Sequence, residues 1–279
     1  MGKLKVISTG PLTTIQDFGR FGFRRYGIPQ SGAMDKEMMI AANSLVGNPE
    51  SFPVIELAIA GLKLEVLEPT TIAVIGSELQ VNGVVINSIV DVTKGDQISI
   101  SSPEFVYAYL GIKGRLTAKK DFGSASTYER AGFGGINGRS IRKEDILVTD
   151  SHSSDKVNVQ IPKRSFNEVV NVRIMKGPEW SLLKELPESK IFEVDVSSDR
   201  MGIRLKGSKL DCDYKEITSS AVIPGTIQLP SDGHPIILMN DCQTTGGYPR
   251  IGKVLEYDMG KLSQVRAGRE IKLRVVDYH

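Results

Sequence analysis

The sequence predicts an all-β protein, mainly strands with one or two short helices, and three observations carry that expectation. Short β-branched or alternating apolar runs recur along the chain, each bounded by Gly, Pro, Asn or Asp. Asn82-Gly83 stands between two such runs, Ser77 to Val81 and Val84 to Ile86. It is a strong hairpin signal, because both central residues of the matching turn need positive φ. Several runs also return in the same order in the second half of the chain. Taken in order, strands are expected at Lys3 to Ser8, Gly61 to Leu67, Thr71 to Ile75, Gln97 to Ser101, Val170 to Met175, Phe192 to Val196, Pro235 to Met239 and Glu270 to Val276. One helix interrupts them at Lys36 to Val46: Asp35 caps it, Met38, Ala41, Ala42 and Leu45 form an apolar stripe at helical spacing, and Gly47 closes it. A second, short helix is expected at Glu179 to Leu186, between Pro178 and Pro187.

A chain of 279 residues, 40% hydrophobic and 24% charged, can bury a sizeable core without disulfide or metal staples. Thirty-five Lys and Arg against 33 Asp and Glu leave a charge of +2, too little for a general footprint on nucleic acid or anionic lipid. Any anion site must be local. Cys212 and Cys242 form no framework, and His152, His234 and His279 are scattered, so no metal site is expected. The first residues lack the apolar stretch of a signal peptide, and the apolar run Val54 to Leu62 is broken by Glu56 and too short to cross a bilayer. A reduced, cytoplasmic setting is expected, with no membrane and no nucleic-acid partner.

The repeat is specific enough to suggest organisation. Arg20-Phe21-Gly22-Phe23-Arg24-Arg25-Tyr26-Gly27 returns as Arg200-Met201-Gly202-Ile203-Arg204-Leu205-Lys206-Gly207, an R-x-G-apolar-R-x-x-G pattern. Strands ending in Gly-Pro lie upstream of both, at Val6 to Pro11 and Arg173 to Pro178. Ile72 to Gly76 pairs in the same way with Ile236 to Asn240, and Gly95 to Ile100 with Gly268 to Leu273. The shared order implies two similar β domains, 1–160 and 161–279, with the boundary in the polar stretch Asp150 to Phe166.

Chemistry-bearing residues concentrate in three segments, Gly10 to Asp35, Ser198 to Leu205 and Pro224 to Pro249. Arg20 and Arg200 are forked donors suited to a carboxylate or phosphate; the plainer alternative is that each ties its loop to a carbonyl or to Asp17 or Asp199. Thr244-Thr245-Gly246-Gly247-Tyr248 offers hydroxyls and amides for phosphate oxygens, or is simply a tight turn. Gly132 to Gly138 reads as a loop, because its third glycine is misplaced for a dinucleotide fingerprint. No Walker sequence, G-x-S-x-G elbow or Ser-His-Asp set is present. The cysteines and Met34, Met38 and Met39 read as packing residues.

Together these segments closely resemble the family of the 5-oxoprolinase C subunit, also described as allophanate hydrolase subunit 2 and as the antagonist of a sensor-kinase inhibitor. The resemblance rests above all on Thr13 to Arg20, Ser31 to Asp35, Ala42-Asn43 with Gly47-Asn48, Asp199 to Leu205, Gly225 to Gln228 and Thr244 to Tyr248. It implies two tandem cyclophilin-like β-barrel domains and an ATP-dependent hydrolase in which a B-like subunit and this one activate the lactam of 5-oxoproline by phosphorylation. An A subunit then assists ring opening to glutamate. ATP would be shared with the partner, and neither metal nor biotin is evident in this chain. On that reading Asp17, Arg20 and Asp241 are the candidate catalytic residues. Gln16, Asn43, Arg200, Gln228, Thr244, Thr245 and Tyr248 are the candidate substrate-binding ones, although Asn43 also suits a purely local backbone role. The site is expected in a groove of the Thr13 to Arg20 loop, the start of the first helix and the Asp241 to Tyr248 loop. One departure stands out: Cys242 follows Asp241 where relatives carry Arg, so an anion contact there is lost or is supplied by Arg250. Two other roles resemble those of relatives: a regulatory binder that antagonises a sensor-histidine-kinase inhibitor, and a carboxyltransferase module of the urea carboxylase type. The second lacks an Ala-Met-Lys-Met carrier motif, since Met175-Lys176 lies in Ile-Met-Lys-Gly-Pro.

Overall fold

The computed structural model describes residues 1–150, 161–162, 164–213 and 217–276. Most of the expected boundary stretch, together with His152 and His279, lies outside them. The chain divides into two compact units, Met1–Arg20 with Ser31–Lys163 and Phe21–Gln30 with Arg164–His279. The ten-residue segment Phe21–Gln30 therefore packs with the second unit, which a single cut near residue 160 does not contain.

The first unit holds β1 (Lys3–Thr9), β2 (Thr14–Gln16), β3 (Val54–Ala58), β4 (Leu62–Glu68), β5 (Thr70–Ile75), β6 (Leu79–Val81), β7 (Val84–Ile86), β8 (Ile89–Val92), β9 (Gln97–Ile100), β10 (Tyr107–Ile112) and β11 (Ile146–Val148). They form an antiparallel six-stranded sheet, β11-β1-β4-β9-β6-β7, and a five-stranded one, β2-β3-β10-β5-β8. One core fills the space between them: Leu4, Val6, Leu62, Leu64 and Ile98 from the first sheet meet Ile15, Ile55, Leu57, Ile72 and Leu110 from the second. The expected hairpin joins β6 to β7, with Asn82 at φ 50° and Gly83 at φ 81° and Val81 opposite Val84. The expected helix is α1 (Lys36–Leu45), whose cap Asp35 accepts from the Met38 N–H. It buries Met38, Met39, Ala41 and Ala42 against β3, β5 and β10. Strands β3 and β10 are consequently buried on both faces, which is why they do not alternate between apolar and polar residues and why the one charged residue of β3, Glu56, is itself buried.

The second unit closes into a barrel. Its strands are β12 (Val169–Lys176), β13 (Phe192–Val194), β14 (Gly202–Gly207), β15 (Ser220–Ala221), β16 (Thr226–Gln228), β17 (Ile236–Leu238), β18 (Thr245–Gly246), β19 (Arg250–Val254) and β20 (Glu270–Val275). The ring runs β12-β19-β16-β17-β14-β13-β20 and closes through a parallel pairing of β20 with β12; β15 and β18 form a separate two-stranded ribbon. Val170, Val172, Phe192, Leu205, Ile227, Ile251 and Leu273 are buried in this unit. The all-β class thus holds, with one unit built of two packed sheets and the other a closed barrel. No helix among the described residues is long and apolar enough to cross a membrane.

Two local expectations are corrected, and one helix is added. The helix expected at Glu179 to Leu186 is only a 3-10 turn, Trp180–Leu182, because the Glu179 carboxylate is held by Arg250 and the chain turns extended at Leu183. A helix that the periodicity missed, α2 (Glu256–Ser263), lies instead after β19. The R-x-G-apolar-R-x-x-G repeat has no common local structure: the second copy forms β14, whereas the first is a loop with a 3-10 turn, Arg24–Tyr26. A better internal match is Thr-Ile-Gln, which forms the wholly buried strand β2 in one unit and β16 in the other.

Candidate functional site

In the first unit β2 delivers Gln16 and Asp17 into a shell made by residues 124–127. Asp17 Oδ1 accepts from the hydroxyls of Ser124 (2.6 Å) and Ser126 (2.6 Å) and from the Gly19 N–H (2.9 Å), and Oδ2 accepts from the Ala125 N–H (2.7 Å). With both oxygens so engaged, the carboxylate pegs two loops together rather than standing ready as a base. Arg20, only 1% exposed, donates through Nη2 to the Ser126 carbonyl and has its Cζ 5.6 Å from the centre of the Phe133 ring. The glycine run read as a loop is what covers it. A Cβ on Gly134 would strike the Ser126 carbonyl and come within 2.8 Å of Arg20 Nη2. The Gly134 N–H, donating at 2.8 Å, also holds the Asp121 carboxyl below its ordinary range, with Lys119 adding to the effect.

Gln16 donates to Thr14 Oγ1 (2.9 Å) and to the Thr127 carbonyl (3.2 Å), while its buried Oε1 has no hydrogen-bond partner among the described residues. Asn43 takes the local role of its two readings. It donates to the carbonyls of Phe52 (2.7 Å) and Glu50 (3.3 Å) and accepts from Asn48, which in turn holds Ile112 and Gly114. The residue pattern missed a buried polar group here. Glu56, 1% exposed, accepts from the Met34 N–H and the Tyr109 hydroxyl, both at 2.8 Å, and that hydroxyl accepts from the Asp35 N–H. Burial, with the Glu56 charge behind it, pushes the Tyr109 hydroxyl well above its ordinary range. This cluster fixes the stretch that leads into α1, and its one sequence signal was a glutamate inside an apolar run.

In the second unit Arg200 and Asp241 form a two-point ion pair, Nε to Oδ2 at 2.8 Å and Nη2 to Oδ1 at 3.2 Å. Arg200 therefore binds Asp241 and not Asp199, whose Oδ1 caps the N–H groups of Met201 and Gly202. Gln228, at the end of β16 and 2% exposed, accepts from Gln243 Nε2 at 3.2 Å. Beside it runs the β15–β18 ribbon, with Ser220 opposite Gly246 and Ala221 opposite Thr245. Thr244 is half-buried, and Thr245 and Tyr248 are exposed.

Arg250 does not stand in for the arginine expected after Asp241. It is paired with Glu179 (Nη2 to Oε1 2.8 Å, Nε to Oε2 3.0 Å). The guanidinium that reaches Cys242 is Arg24, whose Nη2 lies 3.7 Å from Sγ and donates to the carbonyls of Val222 (2.6 Å) and Gln243 (2.7 Å). Burial pushes the Cys242 thiol up, and Cys212 likewise, so neither is an activated nucleophile. Among the described residues no group of three or more His, Cys, Asp or Glu side chains is arranged to hold a metal. Of the three segments expected to form the site, the Thr13 to Arg20 loop and the start of α1 belong to the first unit and the Asp241 to Tyr248 loop to the second.

Residues 26–275 match the family model described as carboxyltransferase domain, subdomain A and B. The 5-oxoprolinase C subunit of Escherichia coli K12 is 34% identical over 96% of this chain and 89% of its own length. That of Haemophilus influenzae is 34% identical over 98% and 91%. Among solved structures, the Kluyveromyces lactis urea amidolyase superposes with a TM-score of 0.91 at 27% identity, covering 99% of this chain and 19% of that one.

Proposed function

The chain belongs to the carboxyltransferase subdomain A and B family, and from that premise we propose that it is the C subunit of an ATP-dependent 5-oxoprolinase, working in the cytoplasm with B-like and A subunits. The observation that carries this reading is the one-third identity to two bacterial 5-oxoprolinase C subunits over nearly the full length of both chains. A lactam carbonyl is poorly electrophilic because its nitrogen lone pair is delocalised. Transfer of the terminal phosphoryl group of ATP to the lactam oxygen, with departure of ADP, removes that protection. Water then attacks the carbon, the ring C–N bond breaks, and hydrolysis of the resulting acyl phosphate by a second water releases glutamate and phosphate.

Within this chain the roles divide by what each side chain has left to offer. Asp17, Asn43, Arg200 and Asp241 have their hydrogen bonds engaged inside the protein, and with Arg20 they hold loops in place. Gln16 Oε1 remains as a buried acceptor for an N–H, and Gln228 Nε2 as a buried donor for an oxygen. Thr244, Thr245 and Tyr248 present hydroxyls on the neighbouring loop. The nucleotide and the groups that transfer the phosphoryl are assigned to the partner.

The experiment is co-purification with the B-like and A subunits followed by ATP-dependent glutamate release. Turnover is expected only with all three. Brisk release by this chain alone, or none by the full set, overturns the reading. The fold shared with urea amidolyase favours one second reading, a carboxyltransferase module; urea-dependent consumption of ATP and bicarbonate by the same assembly would select it.

A further inference from the structure

Three arginines of the second unit face a carboxylate: Arg200 faces Asp241, Arg250 faces Glu179 and Arg173 faces Asp258. Arg24 is different. Its Nη2 is bound by two carbonyls and touches a thiol, no carboxylate faces it among the described residues, and its Nη1 is buried with no hydrogen-bond partner among them. Two more polar atoms in the same small region share that condition, Gln228 Nε2 and Ser220 Oγ. Hydrogen bonds connect Arg24 with Gln228, and strand pairing brings Ser220 beside them. Arg24 holds the Gln243 carbonyl, the Gln243 amide holds Gln228 Oε1, and Gln228 lies beneath Gly246, which pairs with Ser220. Ser220 also stands two residues before Val222, whose carbonyl holds Arg24. A Cβ at residue 246 would crowd Gln228 Nε2, so the glycine there leaves this amide its place.

Buried donors are normally paired, and leaving one unpaired costs about as much as a lost hydrogen bond, so three in the region of one ribbon mark a position where something else supplies the acceptors. The atoms left over are a guanidinium N–H, an amide N–H and a hydroxyl, and the charge not met by a carboxylate is positive. Their complement is a small oxyanion. We propose that Arg24, Ser220 and Gln228 bind the carboxylate of the small-acid substrate, with Arg24 supplying the charge and the other two the orientation. This rests on the 5-oxoprolinase reading, since 5-oxoproline carries one carboxylate beside its lactam, and it moves the anion contact from Arg20 to Arg24.

The test is calorimetric titration of 5-oxo-L-proline, 2-pyrrolidinone (the same lactam without the carboxylate) and inorganic phosphate into this chain and into its assembly with the partner subunits. Steady-state kinetics of the assembly accompany it. Ser220→Ala is the key variant, because its hydroxyl has no hydrogen-bond partner among the described residues: the melting temperature is expected to hold while 5-oxoproline binds about three- to tenfold more weakly. Arg24→Gln is expected to weaken 5-oxoproline about ten- to a hundredfold and raise KM with kcat little changed, leaving 2-pyrrolidinone unaffected. Arg24→Lys should recover part of the loss, because charge returns without the fork. Arg25→Gln, an exposed neighbour stacked on Tyr26, should change nothing. Equal losses for both lactams, or no loss in Arg24→Gln and Ser220→Ala, overturn the site while leaving the 5-oxoprolinase reading intact if the assembly still turns over. Arg24-dependent binding of 5-oxoproline by an assembly that releases no glutamate overturns the function and keeps the site. Arg24-dependent binding of phosphate alone overturns the carboxylate assignment.

Discussion

Replacing Asp17 by asparagine removes a charge and one acceptor while leaving shape almost unchanged, so it separates a peg from a catalytic group. The carboxylate receives two hydroxyls and two backbone N–H groups, one N–H on each oxygen. An asparagine has one acceptor oxygen. If that oxygen faces Ala125, the amide nitrogen faces the Gly19 N–H; in the opposite orientation it faces the Ala125 N–H. One buried backbone donor is therefore stranded either way, which costs about 1–3 kcal/mol. For a unit of this size each kcal/mol lowers the melting temperature by roughly 2–4 °C, so Asp17→Asn should melt about 2–12 °C early. Asp17→Ala, which strands all four donors, should fall further. The assay is thermal melting of the chain alongside kcat/KM of the assembled enzyme, normalised to assembled complex. A variant that melts with the wild type but loses turnover would refute the reasoning and return Asp17 to the chemistry.

Arg20→Ala is expected to destabilise the first unit, because it empties a fully buried volume between Ser126 and Phe133, with turnover per folded complex changing less than about threefold; melting and kinetics together check it. Thiol labelling should leave Cys242 of the native protein unmodified until the chain is unfolded in urea, since burial both shields it and raises its pKa. The hydrogen bonds from Arg250 hold the Glu179 carboxyl below its ordinary 4.5. A depressed folded pKa contributes stability that is present above 4.5 and is lost as pH falls through the folded value. Glu179→Gln should therefore flatten the acid limb of the melting-temperature profile, by an amount corresponding to less than about 1 kcal/mol for this partly exposed pair.

What could be read from the sequence was whatever depends on neighbours along the chain. Strands bounded by Gly and Pro, the Asn82-Gly83 hairpin and the capped helix after Asp35 are all local devices, and they appear within a residue or two of where the pattern places them. Helix α2 has no capping side chain, carries Gly260 in its interior and buries Met259 and Leu262 as its apolar contacts, so its stripe is too thin to notice. Its position is set from outside, by Arg173 gripping Asp258 at 2.7 Å. The R-x-G-apolar-R-x-x-G repeat fails for a related reason: identical letters promise identical structure only when their surroundings match, and residues 21–30 leave one unit for the other.

The same distinction decides the site. Residue type nominated Asp17 and Arg20, but their roles come from Ser124 and Ser126, more than a hundred positions away. Chain proximity nominated Arg250 as the guanidinium near Cys242, yet Glu179 captures it and Arg24 arrives from 218 positions upstream. A guanidinium bound to a carboxylate has little attraction left for an anionic ligand, whereas one resting on neutral carbonyls keeps its charge. What singles out Arg24 in the second unit is therefore the combination of neutral partners with a buried Nη1 that has no hydrogen-bond partner among the described residues, a property that no stretch of contiguous residues expresses.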